Sequence, residues 1–213
     1  MESRKTCHLM SRVVIMTALT IFLVVGGSTR STPTAQASGS PPSPMATMTA
    51  SSTVAPERLV VNGQYSDERF IDMMVPHHMM AVQTAQVASQ KGQHSELRHL
   101  ATTITSSQNQ EIQELKDLKQ RLYGTSNTPT TINPVDMENT GTMMPDQLAS
   151  ENPFDRAFID SMIPHHASAV DLASVAMMRS SNADIKRIAR SIIDAQSQEI
   201  GTMIQWRKQW YGD

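Results

Sequence analysis

The chain is almost without cysteine. Cys7 is the single one among 213 residues, and it lies in an N-terminal segment laid out for export. Arg4, Lys5 and Arg12 form a positive start, Val13 to Gly27 is a short apolar run, and Ala35 and Ala37 supply the small residues of an A-x-A cleavage site. The expectation is a signal peptide over residues 1–37, cut after Ala37. An uncleaved anchor is disfavoured because the run falls short of the ~20 apolar residues a membrane span needs, so no stable membrane insertion is expected after cleavage. Cys7 leaves with the signal. The mature chain then has no thiol, which excludes a disulfide framework and a zinc finger.

Other absences narrow the field further. Strand-type alternation of apolar and polar residues is nearly missing, and no serine sits in a G-x-S-x-G turn. Excess positive charge is missing too. Removing four of the 18 basic and one of the 20 acidic residues leaves 14 and 19, a formal charge of −5. Nothing in that balance invites nucleic acid, which is held by clustered Lys and Arg. Aromatic residues are only 4% of the chain, whereas there are 16 methionines. Of these, Met1, Met10 and Met16 belong to the signal. An exported protein meets an oxidising compartment, where thiols end as disulfides, so a protein handling soft metal ions there has reason to use thioether and imidazole.

Residues 38–64 begin with "SGSPPSPMATMTASSTVAP", small, polar and proline-rich, and read as a flexible tether carrying Met45 and Met48. Beyond it the chain repeats itself: residues 67–124 align with 155–212 at a constant offset of 88, without a gap. "FIDMMVPHHMMAV" from Phe70 thus matches "FIDSMIPHHASAV" from Phe158, and "QNQEI" from Gln108 matches "QSQEI" from Gln196. Each unit has the period of two helices. In the first they run over about 66–90 and 96–122, with Gly92 as a stop and Ser95 as a candidate N-cap. In the second unit Ser181 and Asn182 mark the turn. Two hairpins, 65–124 and 153–213, bury their apolar faces against each other, which predicts an all-α four-helix bundle of duplicated hairpins. A linker over 125–152, with Met137, Met143 and Met144, joins them.

The segment "MMVPHHMM", Met73 to Met80, carries the chemistry. On a helix Met73, His77 and Met80 form a stripe at spacings of four and three, and Met74 and His78 make a second pair. Thioether with imidazole suits Cu(I), and Ag(I) for the same reason, but not Ca²⁺ or Mg²⁺, which want several oxygens. The competing reading is plain core, since methionine more often fills gaps than binds metal; for Met74 and Met162 taken alone it is the better one. Two adjacent histidines flanked by four methionines and repeated 88 residues later favour the metal. The second copy keeps Met162, His165 and His166 but has Ser161, Ala167 and Ser168 where the first has Met73, Met79 and Met80, so the better site is expected in the first hairpin. Met45, Met48, Met143 and Met144 are further capture candidates outside the predicted helices. Counting back from the turn sets Gln108 and Glu111 opposite His77, and Gln196 and Glu199 opposite His165. There they would orient imidazoles for a metal, fix helix register, or both. Pro76 and Pro164 either kink continuous helices or start them; the period kept by Phe70 and Met74 favours the kink.

With these repeated Met-x-Pro-His-His segments, each followed by a Gln…Glu-Ile helix, the chain resembles a bacterial family of exported ferritin-like helical domains. Within that family it is most similar to the periplasmic copper-binding proteins of cyanobacterial copper resistance. The resemblance covers both repeats, and the family motif falls on Met74, Pro76, His77, His78 and on Met162, Pro164, His165, His166. It implies a ferritin-like bundle outside the cytoplasm, in the periplasm or beyond the cell. There it would bind Cu(I), with Cu(II) as a second ion, and buffer copper or hand it to an exporter or sensor protein without catalysing a reaction. Two alternatives stand beside it. A di-iron or copper oxidase would need inward glutamates on all four helices and two Glu-x-x-His motifs, and only Glu96–His99 has that spacing. A metal-free interaction bundle would ignore metal altogether.

Overall fold

The computed structural model describes residues 54–132 and 140–212, with side chains from Glu57 onward. The signal segment, Met45, Met48 and Met137 lie outside the described residues. The chain opens with α1 (Val54–Leu59) and a minimal antiparallel hairpin, β1 (Val60–Val61) and β2 (Gln64–Tyr65), pairing Val60 with Tyr65. Its turn is Asn62-Gly63, both with positive φ (52° and 76°), the pairing that a two-residue hairpin turn of matching twist demands. The last part of the tether is therefore folded. Leu59 is fully buried against the bundle, and that apolar anchor holds a polar segment which has no helical period of its own.

Four long helices follow, α2 (Asp67–Lys91), α3 (Ser95–Tyr123), α5 (Phe154–Arg179) and α6 (Ala183–Tyr211), with the short α4 (Pro145–Ser150) in the linker. At 25–29 residues each, they extend roughly 37–44 Å. The described residues are thus an all-α bundle of two hairpins, α2/α3 and α5/α6. Pro76 and Pro164 sit inside continuous helices rather than at their starts. Ser66 caps α2 by accepting from the Arg69 N–H at 3.2 Å, satisfying one donor that a helix start leaves open. Gly124 and Gly212 close α3 and α6 in the left-handed region, at φ 73° and 84°, where a side chain would be strained.

The helix cap expected at Ser95 is built differently. His94 occupies the cap position without a side-chain cap bond, and the buried carboxylate of Asp155, from the start of α5, accepts instead from the Gln93 and His94 N–H groups, both at 2.8 Å. Asn182 caps α6 with its own side chain, accepting from the N–H groups of Asp184 and Ile185.

Two apolar clusters fill the bundle, one toward each end. The first joins Phe70, Ile71, Met74 and Val75 of α2 to Ala169, Leu172, Ala173 and Ala176 of α5, with Leu115, Leu118, Ile188 and Ile192 from α3 and α6. The second joins Ala81, Ala85 and Ala88 of α2 to Phe158, Ile159 and Met162 of α5, with Leu97, Ala101, Ile104 and Met203. The N-terminal half of α2 thus meets the C-terminal half of α5, and the reverse. That is antiparallel packing about an approximate two-fold axis. Residues 77–78 and 165–166 fall between the two clusters.

Candidate metal centre

α2 and α5 each deliver two adjacent histidines to this middle layer. His78, His165 and His166 are fully buried and His77 is 3% exposed. The rings of His77 and His165 touch in a tilted arrangement, with centroids 3.8 Å apart and planes at 35°, so these equivalent residues meet at the approximate two-fold axis. His78 and His166 turn outward to the second helix of their own hairpins. His78 Nε2 lies 2.8 Å from Glu111 Oε2, and His166 Nε2 lies 2.6 Å from Glu199 Oε2. The carboxylates therefore meet the second histidine of each pair, where the sequence reading set Glu111 opposite His77 and Glu199 opposite His165. Counting residues from the turn fixes height along the hairpin, not rotation about the helix axis. One residue of difference is a rotation of ~100°, enough to exchange the partners.

The bonding in this layer is incomplete. Nδ1 of His77, His78 and His166, both ring nitrogens of His165, and both amide atoms of Gln108 and Gln196 are buried without a protein hydrogen-bond partner. Buried polar groups are ordinarily paired, and each unpaired one costs about 1–3 kcal/mol. This concentration of donor atoms in an otherwise apolar bundle is what a ligand-binding layer requires. The pairing with Glu111 and Glu199 leaves Nδ1 of His78 and His166 as the free ring nitrogens, an arrangement in which a carboxylate fixes the imidazole that a metal then takes.

Electrostatics keep the inner pair ready. Burial pushes the His77 imidazole well below its usual pKa, and the neighbouring His165, His78, His166 and Arg58 push the same way. His165 is lowered for the same first reason, helped by His166 and His78 and opposed in small part by the main chain of His77. Neutral imidazole is the form that binds metal.

The methionines divide by environment. Met74 and Met162 are fully buried members of the two apolar clusters, the place that the core reading gives them. Met80 is buried at 9% exposure, and Met79 packs half-buried on the first cluster. Met73 and His77, one helical turn apart, both line a cavity of about 180 Å³ that also touches Asp72, Pro76, Ile132 and Leu172. This cavity gives Met73 and His77 a common space beside the linker. Met143 packs on the second cluster and its N–H donates to Ser161 Oγ at 2.9 Å, whereas Met144 is 38% exposed. Among the described residues no three His, Asp or Glu side chains converge as a ready metal site.

Sequence reasoning missed Ser168, which reads as a lost methionine but lies with its Oγ 2.7 Å from His77 Nε2. It also missed the far end of the bundle. There His94 Nδ1 lies 2.7 Å from Asp155 Oδ2, and the His94 ring stacks on Trp210 at 3.7 Å and 2°, with Trp206 stacked beyond. These residues come from three separate segments, and no local pattern announces them.

Residues 25–122 and 155–213 match the family described as a domain of unknown function, DUF305. The chain belongs to that family. Among solved structures it is similar to CopM in its Cu(I)-bound form, at 38% identity and a TM-score of 0.61, covering 70% of this chain and 99% of that one. CopM in its Cu(II)-bound form matches at 37% identity and 0.64, and an Ag-bound form obtained by co-crystallisation at 38% and 0.61, each with the same coverage. No curated protein matches.

Proposed function

We propose that this member of the DUF305 family is an exported copper-binding protein. It takes Cu(I) foremost, with Ag(I) and Cu(II) as further ions, through methionine and histidine. It buffers copper in the periplasm or hands it to an exporter or sensor protein, and carries out no reaction of its own. The observation that carries this reading is the buried layer of four imidazoles in which five of the eight ring nitrogens lack a protein partner, with Met73, Met79 and Met80 flanking the first histidine pair in the sequence. Thioether and imidazole together prefer soft monovalent ions, while the imidazole–carboxylate pairs His78–Glu111 and His166–Glu199 offer the nitrogen and oxygen donors that Cu(II) accepts. The likeness to CopM, crystallised with copper and with silver, supports the same choice of ions.

The test is an anaerobic Cu(I) titration of the mature chain against a chromophoric competitor, beside a His77→Ala/His78→Ala variant. Tight binding that collapses in the variant supports the reading and locates the main site in the first hairpin. Tight binding that survives unchanged moves the main site away from His77 and His78, to the histidines of the second hairpin, His165 and His166, or to the methionines of the tether and linker, Met45, Met48, Met143 and Met144. No binding leaves a metal-free interaction bundle.

A further inference from the structure

The offset of 88 pairs His77 with His165 and Met80 with Ser168. Because α2 and α5 cross antiparallel with the equivalent histidines in ring contact at the axis, each contact between the hairpins should have a counterpart with its partners exchanged. One half of such a pair is visible: Ser168 Oγ on α5 reaches His77 Nε2 on α2 at 2.7 Å. By that symmetry the counterpart is the pair of Met80 on α2 and His165 on α5. On that side the hydroxyl is replaced by a thioether, and both ring nitrogens of the fully buried His165 are left without a hydrogen-bond partner.

We propose that Met80 Sδ and His165 form a soft-metal site bridging the two hairpins, and that Ser168 occupies the equivalent place at His77. The assignment rests on the copper-binding reading and deepens it by naming a ligand pair. It differs from a stripe along a single helix, in which Met80 would serve His77. A thioether is a soft donor and a poor hydrogen-bond acceptor, so Met80 does for a soft cation what Ser168 does for a proton. The two halves of the duplicated bundle have diverged at this position, one toward metal and one toward a hydrogen bond that closes its histidine. A metal held from both hairpins would also bind the folded chain and not the unfolded one, and would stabilise the bundle by mass action.

Silver(I) is the probe, because it has no redox chemistry under these conditions. Its stoichiometry would be read by native mass spectrometry, and its ligands by the ¹⁵N shifts of the histidine side chains. In the parent protein Ag(I) should move the His165 ring resonances. Met80→Ser, which copies the second repeat, and Met80→Leu, which keeps the volume, should each lose one tightly bound equivalent and leave His165 unmoved. Ser168→Met should gain an equivalent and bring the His77 resonances into play. The exchange Met80→Ser/Ser168→Met should keep one equivalent but transfer the response from His165 to His77. If the parent binds Ag(I) and Met80→Leu binds it with the same stoichiometry and the same His165 shift, the bridging site is wrong while the copper reading stands. If the parent binds no Ag(I), both fall.

Discussion

His77 and His165 stand 88 residues apart in the chain and 3.8 Å apart between ring centroids. They cannot both be charged at that distance. Two imidazolium charges about 4 Å apart repel by ~4 kcal/mol even at an effective dielectric of 20.

Burial foremost, and the neighbouring histidines after it, make the fold acid-sensitive. Both histidines are held below the usual imidazole pKa, so the unfolded chain binds protons that the native one refuses. Above pH ~6.5 both states are neutral at these sites and stability is full. Below it stability falls by about 1.4 kcal/mol per pH unit per histidine, until the native pKa is reached. Urea unfolding at a series of pH values should show this slope, and a His77→Gln/His165→Gln variant should flatten it. An equal slope in the variant would place the acid sensitivity elsewhere.

The carboxylate beside His78 should matter twice. Glu111→Gln removes a charge from a 2.8 Å contact with a fully buried ring. We expect a loss of about 1–2 kcal/mol in metal-free stability and a copper affinity about 10–100-fold weaker. Glu199→Gln should do the same at His166, 2.6 Å away. Unchanged copper affinity in both variants would take His78 and His166 out of the ligand set.

The two buried glutamines should show the reverse trade. Gln108 and Gln196 are each 2% exposed, with amide atoms that have no protein partner. Replacing one by leucine removes that burden and should raise metal-free stability by about 1–2 kcal/mol, while weakening copper binding. A chemical melt of Gln108→Leu with and without copper checks both signs.

Asp155 ties the hairpins at the far end, accepting from two main-chain N–H groups and facing the His94 ring while fully buried. Asp155→Ala leaves those donors unmet and should cost about 2–3 kcal/mol. Since His94 stacks on Trp210, the tryptophan emission should change as well. Copper affinity should not.

Much of this was readable in the sequence. The apolar period, Gly92 and the gapless repeat give the number, length and pairing of the long helices, because local spacing decides which face of a helix is buried. The methionine–histidine–proline segments also mark the layer where the chemistry lies. What stays hidden depends on rotation and on contacts between distant segments. Glu111 meets His78 rather than His77 because a turn count carries no azimuth. Ser168 looks like an absence until the two-fold crossing brings it to His77. The Asp155–His94–Trp210 group joins three segments with no shared local signal, and Leu59 folds the end of a polar tether by one buried side chain.

The central claim is that a soft metal is held jointly by methionine and histidine in the middle layer. X-ray absorption at the copper edge, on mature protein loaded anaerobically with one equivalent of Cu(I), reads the donor atoms directly. The account predicts sulfur and imidazole nitrogen together in the first shell, with the sulfur signal reduced in Met80→Leu. A shell of sulfur alone, or of nitrogen and oxygen alone, would contradict it.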